Sequence, residues 1–324
     1  WARSMKAVMV TGASGFVGSA LCCELARTGY AVIAVVRRVV ERIPSVTYIE
    51  ADLTDPATFA GEFPTVDCII HLAGRAHILT DKVADPLAAF REVNRDATVR
   101  LATRALEAGV KRFVFVSSIG VNGNSTRQQA FNEDSPAGPH APYAISKYEA
   151  EQELGTLLRG KGMELVVVRP PLIYANDAPG NFGRLLKLVA SGLPLPLDGV
   201  RNARSLVSRR NIVGFLSLCA EHPDAAGELF LVADGEDVSI AQMIEALSRG
   251  MGRRPALFTF PAVLLKLVMC LLGKASMHEQ LCGSLQVDAS KARRLLGWVP
   301  VETIGAGLQA AGREYIFRQR ERRK

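Results

Sequence analysis

The sequence predicts an α/β protein, a doubly wound parallel sheet with a smaller C-terminal lobe. Three observations carry this. Short β-branched runs alternate with helical stretches through the first half of the chain. A glycine turn, Gly12-x-x-Gly15-x-x-Gly18, stands between the first apolar run and the first helix. Beyond Arg169 the alternation loosens into segments broken by Pro170-Pro171, Pro179-Gly180 and Asp198-Gly199.

The elements follow in order. Ala7 to Val10 is the first strand, and Ser19 to Ala26 lies in the helix after the glycine turn. Ala31 to Val36 is a continuous apolar run, as a strand buried on both faces requires. Val46 to Glu50 and Asp67 to Leu72 are the third and fourth strands, and Pro86 to Ala108 reads as one long amphipathic helix. Lys111 to Val116 is the fifth strand and Leu165 to Val168 the sixth, with a helix starting behind Pro142 between them. The expected division is a Rossmann domain over 1–171, taking in about 205–233 as well, and a substrate lobe over most of 172–324.

The glycine turn has the form a dinucleotide needs. Gly12 can turn the chain sharply, Gly15 lets a pyrophosphate approach the backbone, and Gly18 lets the helix lie close on the strand. The N–H groups of the helix start, through Ser14, Phe16 and Val17, face the phosphates.

A second constellation follows in chain order. Strand five ends in Ser117-Ser118, and Tyr143 and Lys147 stand four residues apart on the next helix, hence on one face. A phenol with a reference pKa near 10 is a poor base at neutral pH, and a cation close by favours its phenolate. The pair then exchanges a proton with an alcohol or ketone, while a serine hydroxyl binds the oxygen.

With these motifs the chain resembles the extended short-chain dehydrogenases/reductases, specifically their nucleotide-sugar epimerases, dehydratases and 4-ketoreductases. The resemblance runs through Thr11 to Gly18, Asp52-Leu53, His71 to Gly74, Asn94, Ser117-Ser118, Tyr143/Lys147 and Arg169-Pro170, nearly the whole chain. Ser118 lies 25 residues before Tyr143, the spacing of the family's catalytic hydroxyl, so Ser118 is favoured over Ser117. The resemblance implies that Lys147 also binds the nicotinamide ribose, that Asp52 and Leu53 line the adenine, and that Leu72, Ala73 and Gly74 pass under the cofactor with Pro170 beside it. Asn94 would sit behind the active-site helix. Asn181 resembles a contact to a sugar-nucleotide diphosphate, and Arg204 a phosphate-binding arginine, for which a guanidinium is well shaped. Asn211 reads as a helix N-cap.

Strand two ends in Arg37-Arg38, with no carboxylate before Glu41. Arginine there suits a 2′-phosphate, which favours NADP(H) over NAD(H). The chain departs from the common epimerase pattern at Asn122 and Pro171 and lacks the acidic pair of the dehydratases. It looks most like 4-ketoreductases that reduce a UDP-4-keto-6-deoxy-N-acetylhexosamine to UDP-N-acetylquinovosamine. A UDP-glucose or UDP-N-acetylglucosamine 4-epimerase with tightly held NAD is the alternative, and a non-catalytic nucleotide-binding protein a distant one. The resemblance also implies a homodimer through parts of 86–108 and 143–160.

Composition narrows the partners. The formal charge is +7 over 324 residues. Six basic and two acidic side chains from Arg313 to Lys324 account for +4 of it, which leaves +3 for the rest. That is a basic helix end and not a nucleic-acid surface. Six scattered cysteines without C-x-x-C spacing point to reduced thiols, no metal site and a cytoplasmic protein. Trp1 to Ser4 ahead of Met5 reads as an addition or alternative start, with no signal-peptide pattern. The apolar run Pro261 to Leu272 spans about 18 Å as a helix, short of a bilayer core of about 30 Å. It is expected to be buried with Lys266 reaching to water, a membrane-surface or dimer contact being the alternative.

Overall fold

The computed structural model of the protein describes residues 6–39, 41–76, 85–261, 270 and 282–322. The predicted strands form: β1 (Ala7–Thr11), β2 (Ala31–Val36), β3 (Val46–Glu50), β4 (Cys68–His71), β5 (Arg112–Val116) and β6 (Glu164–Arg169). A further strand, β9 (Leu229–Leu231), closes a seven-stranded parallel sheet in the order β3-β2-β1-β4-β5-β6-β9. The order reverses between β1 and β4. That is the point where such sheets open a crevice at their carboxyl ends.

The strand sequences show why the sheet is covered twice. In β1, Val8 and Val10 enter one core and Met9 the other; in β5, Val114 and Val116 oppose Phe113 and Phe115. The first core is covered by α1 (Gly18–Arg27), α6 (Arg209–Glu221) and α8 (Ser290–Leu296), the second by α3 (Ala97–Glu107) and α4 (Pro142–Leu158). A third core lies among α5 (Gly180–Ser191), α7 (Ile240–Gly250) and α9 (Ile304–Glu321). The short strands β7 (Leu172–Tyr174) and β8 (Leu206–Ser208) pair in parallel beside it.

Two elements differ from the sequence reading. The helix expected over 86–108 is α2 (Pro86–Arg91), a π turn over Glu92–Asp96, and α3. The widened turn carries Asn94, which is fully buried; such insertions mark functional positions more often than passive ones. Asn211 is not the cap of α6. Ser208 is, accepting from the Asn211 N–H at 3.0 Å. Asn211 lies one turn in, where its amide reaches Asp234 and the Val301, Glu302 backbone.

The apolar run 261–272 lies outside the described residues apart from Pro261 and Cys270. Among the described residues no helix is long and apolar enough to cross a membrane, and no cluster of His, Cys, Asp and Glu could hold a metal ion.

In the lobe, α7 and α9 meet backbone to backbone at glycines. A Cβ on Gly250 would stand 2.0 Å from the Gln309 carbonyl oxygen, and one on Gly312 2.4 Å from that of Leu247. Gly312→Ala is expected to destabilise the protein by about 1–3 kcal/mol, as overpacking does. Urea unfolding of the variant measures it.

Candidate active site

The glycine turn is built against the end of β4. Gly12 has φ +66°, and a Cβ there would lie 2.7 Å from the Ala73 nitrogen. A Cβ on Gly18 would lie 2.2 Å from the Gly12 carbonyl oxygen. Both positions therefore demand glycine, the first for conformation and contact together. Helix α1 starts at Val17 with no side-chain cap and no acidic residue in its first turn. Ser14 and Gly15 are exposed, Phe16 is half-buried under the Arg209 guanidinium, and Val17 and Gly18 are buried. An uncapped helix start behind a glycine turn fits a pyrophosphate.

The line continues across the sheet edge. A Cβ on Gly74 would lie 3.1 Å from Asn94 Oδ1 and 3.4 Å from Lys147 Nζ. Asn94 Oδ1 accepts from Arg75 N–H at 2.7 Å, and its Nδ2 donates to the Arg75 carbonyl and to Ser146 Oγ. Ser146 in turn donates to the Tyr143 carbonyl. The π turn thus ties the stretch after β4 to the start of α4. Beneath it, His71 sits between Thr11 and Thr98. Thr98 Oγ1 donates to the Asn94 carbonyl, so it accepts from His71 Nε2, and Nδ1 accepts from Thr11. Burial, then the Lys147 charge, pushes the His71 pKa down to about 3, and the ring is neutral.

Tyr143, Lys147 and Ser118 converge at the carboxyl ends of β4 and β5. Pro142 starts α4 in the first turn, where its missing N–H costs nothing. Burial pushes the Tyr143 pKa up to about 12, and a hydrogen bond with Ser118 acts downward. Ser118 Oγ accepts from Gly120 N–H at 3.1 Å, which leaves its own proton for the phenolic oxygen. The neighbouring Ser117 Oγ is buried without a hydrogen-bond partner. Lys147 is buried, donates to the Val116 carbonyl at 3.0 Å and stands 4.6 Å from the Phe115 ring centre. The expectation that Lys147 lowers the phenol pKa is corrected for this state: its ammonium is directed at a carbonyl and an aromatic face, and desolvation governs the phenol.

The remaining sequence candidates fall in two groups. At the end of β2, Arg37 and Arg38 are exposed. Asp52 is held below the usual carboxylate range by the Thr54 N–H, then the Thr54 hydroxyl, with Arg37 adding a smaller pull. Leu53 follows, its carbonyl accepting from Arg100. Sequence reasoning missed Glu50, which pairs in register with Val36 and accepts from Val39 N–H; only sheet pairing brings this carboxylate to the end of β2. Pro170 is buried beside the trio, and its carbonyl accepts from Ile119 N–H. In the lobe, Asn181 is exposed in the first turn of α5. Arg204 is half-buried and donates to the Gly283 carbonyl at 3.0 Å.

Residues 8–236 match the NAD dependent epimerase/dehydratase family. The chain belongs to that family. It is therefore an enzyme chain of the extended short-chain dehydrogenase/reductase type, with a nicotinamide dinucleotide as the family's cofactor. A UDP-glucose 4-epimerase of Vibrio cholerae is 37% identical over 314 residues, 96% of each chain. An N-acetyl-alpha-D-glucosaminyl-diphospho-ditrans,octacis-undecaprenol 4-epimerase of Escherichia coli O157:H7 is 26% identical over 93% of this chain and 92% of its own. The structure of a UDP-glucose 4-epimerase with UDP-glucose from Thermotoga maritima superposes with a TM-score of 0.77 at 22% identity, covering 97% of this chain and 99% of that one.

Burial holds Lys147 at about 8, below the 10.5 of the free side chain. Between those values the folded chain binds fewer protons than the unfolded one, so this residue makes stability rise with pH. Lys147→Met is expected to lose that rise, on the order of 3 kcal/mol. Unfolding curves of both proteins from pH 8 to 10 measure the difference; above pH 10 Tyr143 acts in the opposite direction.

Proposed function

We propose that the protein is a nucleotide-sugar 4-epimerase, acting at C4 of a UDP-hexose or UDP-N-acetylhexosamine. The observation that carries this is the meeting of Ser118 and Tyr143 beside buried Lys147, on the same crevice as the glycine cradle. The Vibrio cholerae relative, aligned over 96% of each chain, supports the same reaction.

A bound nicotinamide dinucleotide supplies hydride acceptance and return at the sugar carbon. The chain's residues do the rest. Tyr143 takes the proton of the C4 hydroxyl as C4 is oxidised and gives it back on reduction. Ser118 donates to the same oxygen and holds it against the phenol. Lys147, which donates to the Val116 carbonyl, reaches the ribose hydroxyls. Gly12, Ser14, Gly15, Phe16, Val17 and Gly18 hold the pyrophosphate, Arg37, Arg38, Asp52 and Leu53 the adenosine. Leu72, Ala73, Gly74, Asn94 and Pro170 floor the nicotinamide end. Asn181 and Arg204 bind the UDP diphosphate from the lobe, residues 172–324 outside the part near 205–233 that returns to the sheet. The protein works in the cytoplasm as a homodimer through 86–108 and 143–160.

A second reading, reduction of a UDP-4-keto-6-deoxy-N-acetylhexosamine with NADPH, is favoured by Arg37 and Arg38 at the end of β2. The two part on cofactor use. An epimerase retains NAD through purification and interconverts UDP-glucose with UDP-galactose, or their N-acetyl forms, with no net oxidation. A reductase consumes added NADPH in proportion to product. Released nucleotide is read by chromatography and product by NMR. In either case Tyr143→Phe is expected to lower kcat by about 10²–10⁴-fold with cofactor binding retained. A variant that keeps wild-type turnover overturns the assignment.

A further inference from the structure

Helix α4 carries a third polar residue on the face of Tyr143 and Lys147. Glu151 follows Lys147 by one turn, with a side chain only 4% exposed. Its carboxylate takes both prongs of Arg169, Nε to Oε1 at 3.0 Å and Nη2 to Oε2 at 2.5 Å. Arg169 ends β6 and is itself 6% exposed at the side chain. Its third nitrogen, Nη1, donates to Asn122 Oδ1 at 3.0 Å.

Asn122 is buried and closes the turn that Ser118 opens, its N–H donating to the Ile119 carbonyl at 2.9 Å. Its Nδ2 donates to the Ser135 carbonyl at 3.2 Å. The amide is an acceptor toward Arg169 and a donor toward Ser135, which neither Asp nor Ala can be at once. Beside it, the Pro170 carbonyl accepts from Ile119 N–H at 3.0 Å. One buried ion pair therefore joins the helix of Tyr143 and Lys147, the end of β6 and the turn of Ser118.

Such a pair is a poor source of stability, because desolvation offsets most of its attraction. We propose that Glu151, Arg169 and Asn122 are positioning residues that hold the Ser118 hydroxyl in register with the Tyr143 phenol and set a negative charge beside the Lys147 ammonium. The inference rests on the catalytic reading of Ser118, Tyr143 and Lys147 given above. The other described groups around Lys147 carry no negative charge. His71 of β4 is neutral, Tyr143 is protonated, β5 presents the Phe115 ring and the Val116 carbonyl, and the Arg75 guanidinium lies over the Phe90 ring. Among the described residues, Glu151 is the carboxylate that acts on Lys147, with Arg169 behind it.

The test follows Lys147 directly, by NMR titration of ¹³C-lysine in the full chain, assigned with Lys147→Met. In Glu151→Gln the midpoint is expected to fall by about one pH unit or more, and the alkaline limb of kcat to fall with it. In Asn122→Ala the Lys147 midpoint stays, while kcat drops about ten- to hundredfold at nearly constant KM as Ser118 loses its register. Should Glu151→Gln fail to fold, the double variant Glu151→Gln/Arg169→Met removes both buried charges and still lowers the midpoint. An unmoved midpoint in a folded Glu151 variant, or unchanged kcat in Asn122→Ala, overturns the proposal. The titration needs no turnover. A failed catalytic reading shows as an inactive wild type whose midpoint still responds to Glu151, and a failed positioning role as an active wild type whose midpoint does not.

Discussion

The backbone contact between the glycine turn and the end of β4 is the constraint on which the site depends. With the Ala73 nitrogen 2.7 Å from where a Gly12 Cβ would be, no side chain fits between β1 and β4 at their carboxyl ends. The crevice of a doubly wound sheet opens at this point of reversal. The same contact sets the height of Leu72 to Gly74, and through Gly74 the place of Asn94 and Lys147.

Burial then does most of the chemical tuning. Lys147, Tyr143 and His71 share one half of the crevice, and desolvation is the leading influence on each. It keeps the imidazole neutral, the phenol protonated and the ammonium close to losing its proton. A neutral His71 can then take one hydrogen bond and give another, from Thr11 to Thr98, and so brace β4 against α3. Desolvation is therefore both a cost and a source of order here, since every buried polar group must find a fixed partner. Among the described residues, Ser117 Oγ stands out as the buried hydroxyl without one.

The glycine turn, Ser118, Tyr143 and Lys147 lie at the carboxyl ends of the sheet, whereas Asn181 starts α5 beside a separate core. This division suits a family whose members carry different chemistry on one frame.

Local chemistry was enough to read strands β1 to β6, the glycine cradle and the Tyr143/Lys147 helix from the sequence, but not the short β7, β8 and β9. Strands buried on both faces are continuous apolar runs, a positive φ selects glycine, and residues four apart on a helix share a face. The π turn at Asn94, the place of Glu50 beside β2 and the Glu151–Arg169–Asn122 link were not legible in this way. Each joins residues far apart in the chain or depends on how one segment seats on another. Tertiary structure also decided where the Lys147 ammonium points and that desolvation governs Tyr143, because a pKa is set by the solvent and charge around a group, and a linear sequence contains neither.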